Sequence, residues 1–144
     1  MVENKFRRTV SQIHGGFIIV LGLALGIYIN SVPYTGFGIY AFLRDDAFAI
    51  AGLSQAYLLM ALIGLMLRIG SRKDNSGIWN WVGALAHVPP LLATVMYFGA
   101  MAEIGVAHVL IGSVPMHLIC IGFEVAAALS KAPSRNSTPA PATR

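Results

Sequence analysis

Charged residues are scarce in this chain. Only 11% of its 144 residues are Asp, Glu, Lys or Arg, whereas an ordinary soluble domain has about 25%. The ten basic residues are scattered around apolar runs and form no patch, which argues against a nucleic-acid-binding surface. The single cysteine, Cys120, excludes an internal disulfide. What remains is a strongly apolar chain, with a mean hydropathy of +0.69.

The familiar catalytic and nucleotide-binding motifs are also missing. The sequence contains no CxxC, HExxH, Walker loop, GxGxxG or GxSxG. A ladder of charges or acids, such as ion pumps use, is absent too. Any chemistry must therefore come from isolated polar residues within the apolar segments.

Four long apolar segments determine the fold class. They cover residues 13–32, 47–69, 78–102 and 104–129, approximately, and each reaches the roughly 20 residues that a helix needs to cross a bilayer. A spanning segment must satisfy its own backbone hydrogen bonds. We therefore predict an all-α integral membrane bundle of four transmembrane helices over residues 1–130. Residues 131–144, rich in Pro, Ser, Thr and Ala, are predicted to form a disordered cytoplasmic tail.

Basic residues predict the orientation of this bundle. Nine of the ten lie before helix one, between helices two and three, or after helix four, and only Arg44 lies on the other side. The positive-inside rule then places both termini in the cytoplasm. We expect a multi-pass protein in the cell membrane, which in a bacterium is the inner membrane.

Two polar positions stand out in helices one and three. His14 lies at the start of the first apolar run, and we interpret it mainly as part of the interfacial end of that helix. His87 lies roughly 12 Å into helix three by the helical rise, directly before Val88, Pro89 and Pro90. These prolines predict a kink or break near the middle of the membrane. His87 is then either functional or a partner for the freed carbonyl groups.

Helix four has a polar stripe. His117, Cys120 and Glu124 are spaced three and four residues apart and share one face. Glu124 is expected to face the bundle. Its expected partner is either a histidine or one of the arginines Arg7 and Arg8. His117 and His87 lie at comparable depth, so the two could bind a haem from both sides.

A second polar layer is predicted near the other surface. Gln55 in helix two and Tyr97 in helix three are its main members. A buried amide in lipid needs a partner, so Gln55 is a candidate functional residue, although Gln also joins helices together. Tyr97 alone is equally typical of the aromatic belt.

Two segments, IHGGFIIVLGLALGIYINS and AFAIAGLSQAYLLMALIGLML, resemble a known family. They are similar to the first two helices of the small four-helix membrane isomerases that include styrene oxide isomerase and hydroxylaminobenzene mutase. His14 and Gly15 match the His-Gly start of helix one, and Gly52 matches the central glycine of the A-H-x-x-G-x-x-N-G pattern of helix two. The asparagine of that pattern is Gln55 here. Its histidine, the haem b ligand in styrene oxide isomerase, is Ala49.

The resemblance implies an isomerase that rearranges small hydrophobic aromatic substrates, of epoxide or arylhydroxylamine type. Gln55 and Tyr97 would be its catalytic contacts with the substrate. It also implies a homo-oligomer in the lipid bilayer, for which the glycine face of helix one is a candidate contact. Ala49 cannot ligate iron, so the sequence leaves open whether haem b is bound. If it is, His87 and His117 are the candidate cofactor-binding residues.

Two other hypotheses remain beside the isomerase. One is a b-type haem protein ligated by His87 and His117. The other is a non-catalytic membrane subunit or adaptor, in which the polar residues serve contacts between helices.

Overall fold

The computed structural model describes residues 4–74 and 76–131, and every regular element in these residues is helical. The all-α prediction is thereby confirmed. The six α-helices are α1 Lys5–Thr35, α2 Ala47–Lys73, α3 Ile78–Ala86, α4 Val88–Met96, α5 Phe98–Glu103 and α6 Ala107–Leu129. The α1–α2 loop contains one turn of 3-10 helix at Ala41–Leu43. Residues 132–144 of the predicted tail lie outside the described residues.

Three stretches are long and apolar enough to cross a membrane, namely Lys5–Thr35, Ala47–Lys73 and Ile111–Leu129. Their outward faces are apolar, as contact with lipid requires. On α1, for example, Ile13, Val20 and Ile27 recur every seven residues and are 69%, 69% and 75% exposed. A fourth span and the cytoplasmic location of the termini stay predictions.

The third predicted helix, residues 78–102, is not continuous. It is divided into α3, α4 and α5 by single residues at His87 and Tyr97. The first break lies where the sequence predicts it, because Pro89 and Pro90 supply no N–H to the preceding turn. The break at Tyr97 has no proline behind it and was not predicted. Each piece is shorter than a membrane span, which is why three stretches qualify among residues 4–74 and 76–131.

Helices α1 and α2 pack very closely through glycines. A Cβ atom added at Gly15 would lie 2.6 Å from the carbonyl oxygen of Gly64, and one added at Gly64 would lie 2.6 Å from the carbonyl oxygen of Gly15. A Cβ atom added at Gly22 would likewise lie 2.6 Å from the carbonyl oxygen of Tyr57. Small residues allow such backbone contact between membrane helices. These glycines of α1 therefore serve packing within the chain, while the predicted oligomer contact stays a prediction.

The two ends of the described chain meet at one end of the bundle. The Asn4 side-chain amide donates to Ser130 Oγ at 2.8 Å. The Arg7 guanidinium donates to the carbonyl oxygens of Ala127, Ala128 and Ser130, which end α6. We call this end of the bundle the terminal end, and the opposite end, which carries the α1–α2 loop, the loop end.

Candidate functional site

A group of polar side chains lies buried between α1, α3 and α6. We call it the histidine cluster; its members are Ser11, His14, Asn80, His87, His117, Cys120 and Glu124. Glu124 and Ser11 are fully buried, and His14, His87 and Asn80 are 8%, 6% and 2% exposed. His117 and Cys120 are half-buried. Burying a polar group is costly, and polar groups within membrane-spanning helices are candidates for function by default.

His14 is the centre of the cluster. Its Nδ1 atom lies 2.5 Å from Glu124 Oε1, and its Nε2 atom lies 2.7 Å from His87 Nε2. The imidazoles of His14 and His87 are stacked, with ring centroids 4.9 Å apart. The His14 ring thus joins His87, which lies 73 positions later in the chain, to Glu124, which lies 110 positions later.

His87 connects α1 to α6 from the break between α3 and α4. Its Nδ1 atom lies 2.8 Å from His117 Nδ1. Because the break leaves His87 as the cap residue of both helices, its side chain can reach towards α1 and α6 at once. The Nδ1 atoms of His14 and His87 are each held by another side chain, and their Nε2 atoms face each other.

The Glu124 carboxylate is held on its second oxygen as well. Asn80 Nδ2 lies 2.7 Å from Glu124 Oε2 and 2.9 Å from Ser11 Oγ. Gly83 makes room for this carboxylate, since a Cβ atom there would lie 2.8 Å from its carbon. Glu124 therefore has a fixed position, from which one oxygen accepts a hydrogen bond from His14.

Three potential metal ligands converge in the cluster. One ring nitrogen of His14, one ring nitrogen of His87 and the Sγ atom of Cys120 all lie within 4.8 Å of one another. Imidazole and thiolate together suit zinc and copper rather than magnesium or calcium, which prefer oxygen. The described residues thus contain three donor atoms that could together hold a transition-metal ion, surrounded by hydrogen-bonded side chains.

The sequence-predicted pair Gln55 and Tyr97 is placed differently. Gln55 is exposed on α2, and Tyr97 is 61% exposed at the break between α4 and α5. Among residues 4–74 and 76–131 no hydrogen bond joins the two side chains. Their catalytic role stays a prediction.

Glu124 is paired with a histidine, as the sequence predicts, and the structure identifies that histidine as His14. The interfacial interpretation of His14 assumes that helix one begins near residue 13. The structure begins α1 at Lys5, where the Asn4 side chain accepts a hydrogen bond from the Arg7 N–H. His14 therefore lies nine residues into the helix, roughly 14 Å by the helical rise. Asn4 is the feature of the sequence that could have located the start of α1, because Asn is a preferred N-cap residue.

The haem implied by the resemblance does not fit the cluster as it stands. His87 and His117 contact each other directly through Nδ1, at 2.8 Å, so no porphyrin can lie between them in this arrangement. The position of the family's ligand, Ala49, has a methyl side chain without a donor atom. Ligation of haem by His87 and His117 stays a prediction that requires the rings to move apart.

A separate apolar cavity of about 360 Å³ lies at the loop end. We call it the Ala49 cavity; it is lined by Ala49, Leu53, Tyr40, Met101 and five further apolar side chains of the loop and of the α5–α6 region. Near it, the hydroxyl groups of Tyr40 and Tyr57 are 2.7 Å apart. The cavity can hold a small apolar molecule.

Comparison of the chain with protein-family models, with curated proteins and with solved structures finds no match. The resemblance to the membrane isomerases therefore stays a prediction. What the chain can do follows from the histidine cluster and the Ala49 cavity.

Proposed function

We propose that this chain is a multi-pass membrane protein whose histidine cluster binds one transition-metal ion. One observation carries the proposal. His14 and His87 direct their Nε2 atoms towards one point, 2.7 Å apart, while the Nδ1 atom of each is held by another side chain. Metal-binding histidines almost always have this arrangement, because a hydrogen bond at one nitrogen fixes the tautomer and the ring orientation.

The required movement is small. Two nitrogens bound to one tetrahedral zinc ion at about 2.0–2.1 Å lie roughly 3.4 Å apart. His14 Nε2 and His87 Nε2 need to separate by less than about 1 Å to accept such an ion. Cys120 supplies a third ligand atom from α6. We propose His14, His87 and Cys120 as the ligands, with Glu124 and His117 as the residues that orient the two imidazoles.

The ion that suits this set is Zn²⁺ or copper. A thiolate beside two imidazoles selects borderline or soft metals. Three protein ligands leave the fourth position of a tetrahedral ion for water or another small molecule, as in catalytic zinc sites. The proposed location is the cell membrane, the inner membrane in a bacterium, with both termini in the cytoplasm and residues 78–103 as a broken fourth span.

The test is the metal content of detergent-purified protein produced with added Zn²⁺. We expect about one Zn²⁺ per chain in the wild type and close to none in His87→Ala. His108→Ala is the matched control, because His108 is an exposed histidine outside the cluster, and its metal content should equal that of the wild type. Replacing Zn²⁺ with Co²⁺ should give a sulfur-to-cobalt charge-transfer band that Cys120→Ser lacks.

Equal metal contents in His87→Ala and His108→Ala would contradict the proposal. So would metal-free wild-type protein. A Soret band that is lost in His117→Ala would instead support the haem hypothesis.

A second candidate function is the isomerase that the resemblance implies. The Ala49 cavity favours it, since it is an apolar space at the position of the family's cofactor ligand. We expect the wild type to rearrange an aryl epoxide or an arylhydroxylamine. Ala49→Phe should abolish this turnover by filling the cavity, whereas Ala51→Phe, which places the same ring at an exposed position two residues on, should not. Gln55→Ala tests the predicted substrate contact in the same assay.

Equal turnover by Ala49→Phe and Ala51→Phe would show that the Ala49 cavity does not bind the substrate. No turnover of either substrate by the wild type would reject the isomerase hypothesis and leave metal binding unaffected.

A further inference from the structure

We infer that the metal ion enters and leaves the histidine cluster through the loop end of the bundle, along the contact between α4 and α6. The inference rests on the proposed metal binding. Two structural features support it: hydrogen bonds close the terminal end, and polar side chains continue from the cluster towards the loop end.

The terminal end is closed by successive layers of hydrogen bonds. Next to the cluster, Asn80 Nδ2 donates to the Arg7 carbonyl oxygen at 3.1 Å, in addition to Ser11 and Glu124. One turn further out, the Arg7 guanidinium joins the end of α6 to the Ser76 carbonyl oxygen at 3.0 Å. The outermost layer is the contact of Asn4 with Ser130. An ion passing this way would have to break all three layers.

The opposite direction is less tightly packed. None of the residues of α4 or α5 is buried, and His117 is half-buried at the edge of the cluster. His117 uses Nδ1 for its contact with His87, and its Nε2 atom makes no hydrogen bond within the described residues. When His117 Nδ1–H donates to His87 Nδ1, His117 Nε2 has a lone pair that can bind the ion before it reaches His14 and His87.

Hydroxyl groups follow His117 along the contact between α4 and α6, in the direction of the loop end. Ser113 lies one turn before His117 on the same face of α6, and its hydroxyl is 3.5 Å from that of Thr94 in α4. A cation crossing an apolar region must exchange its bound water for protein ligands. Thr94, Ser113 and His117 provide such oxygen and nitrogen atoms in sequence, ending at the proposed ligands.

The test is the rate at which a chelator in excess removes Zn²⁺ from the purified, loaded protein. Ser113→Leu replaces a hydroxyl group with a larger apolar side chain, and we expect about tenfold slower release, which corresponds to about 1.4 kcal/mol in the barrier. The equilibrium metal content should stay that of the wild type, because Ser113 is not a proposed ligand. Thr94→Val, which keeps the side-chain volume, should slow release in the same direction and serves if Ser113→Leu does not fold.

Asn4→Ala is the control for the other route. It loosens the outermost layer of the terminal end, and the release rate should remain that of the wild type. Faster release in Asn4→Ala, or wild-type release in both Ser113→Leu and Thr94→Val, would overturn the route alone. Wild-type protein that takes up no Zn²⁺ would overturn the proposed function and the route with it.

Discussion

Glu124→Gln is expected to weaken metal binding by about 10–100-fold, the usual cost of losing the residue that orients a metal-binding histidine. The wild-type carboxylate accepts one hydrogen bond on each oxygen, from His14 and from Asn80. Glutamine has a single acceptor oxygen, so its NH₂ group must face one of these two donors. The imidazole of His14 then loses its fixed tautomer or its fixed position.

The measurement for this variant is a competition titration of Zn²⁺ against a chelator of known affinity. Glu103→Gln is the control, because Glu103 is an exposed acid at the end of α5, and its affinity should equal that of the wild type. An unchanged Zn²⁺ affinity in Glu124→Gln would show that the carboxylate does not orient a ligand.

Gly15→Ala is expected to destabilise the folded bundle by about 3 kcal/mol, the upper part of the range for overpacked interiors. The new Cβ atom would lie 2.6 Å from the carbonyl oxygen of Gly64. That oxygen belongs to the backbone of α2 and cannot rotate away, so the helices must separate. Separation at this point also displaces His14, the next residue towards the N-terminus.

Gly52→Ala provides the matched control in α2. A Cβ atom at Gly52 would have nothing within 4 Å, and alanine is favoured over glycine in a helix by up to about 1 kcal/mol. The two identical substitutions should therefore change the stability in opposite directions. Unfolding in mixed detergent micelles, followed by far-UV circular dichroism, compares them. Equal stability of the two variants would show that α1 and α2 do not pack through Gly15.

Hydropathy alone located the three long helices of the described chain, and the reason is physical. A run of about 20 apolar residues has few stable states in lipid other than a helix, so α1, α2 and α6 follow from the sequence. The break at His87 follows as well, because a proline pair cannot continue a helical hydrogen-bond pattern. The break at Tyr97 has no comparable local cause, and nothing in the structure explains it.

The histidine cluster was only partly visible in the sequence. The spacing of His117, Cys120 and Glu124 places them on one face of a helix. The sequence also predicts that Glu124 pairs with a histidine or a nearby arginine, and His14 is such a histidine. Which residue it meets depends on how α1 is rotated relative to α6, and periodicity within one helix carries no information about that rotation. Hydropathy also predicts that helix one begins near residue 13, whereas α1 begins at Lys5 and contains His14 in its interior.

The contact between His14 and Glu124 joins the first helix of the described chain to the last, and this sets an order of events during synthesis. Each long apolar helix is stable in the bilayer by itself, and the helices associate afterwards. His14 is in place as soon as α1 is inserted, but it has no acidic partner until the ribosome has completed α6, 110 positions later. The ligand set is therefore completed only when the last helix docks. By the proposed function, metal would be loaded only after insertion is finished, and a chain truncated before α6 would carry His14 without its partner Glu124.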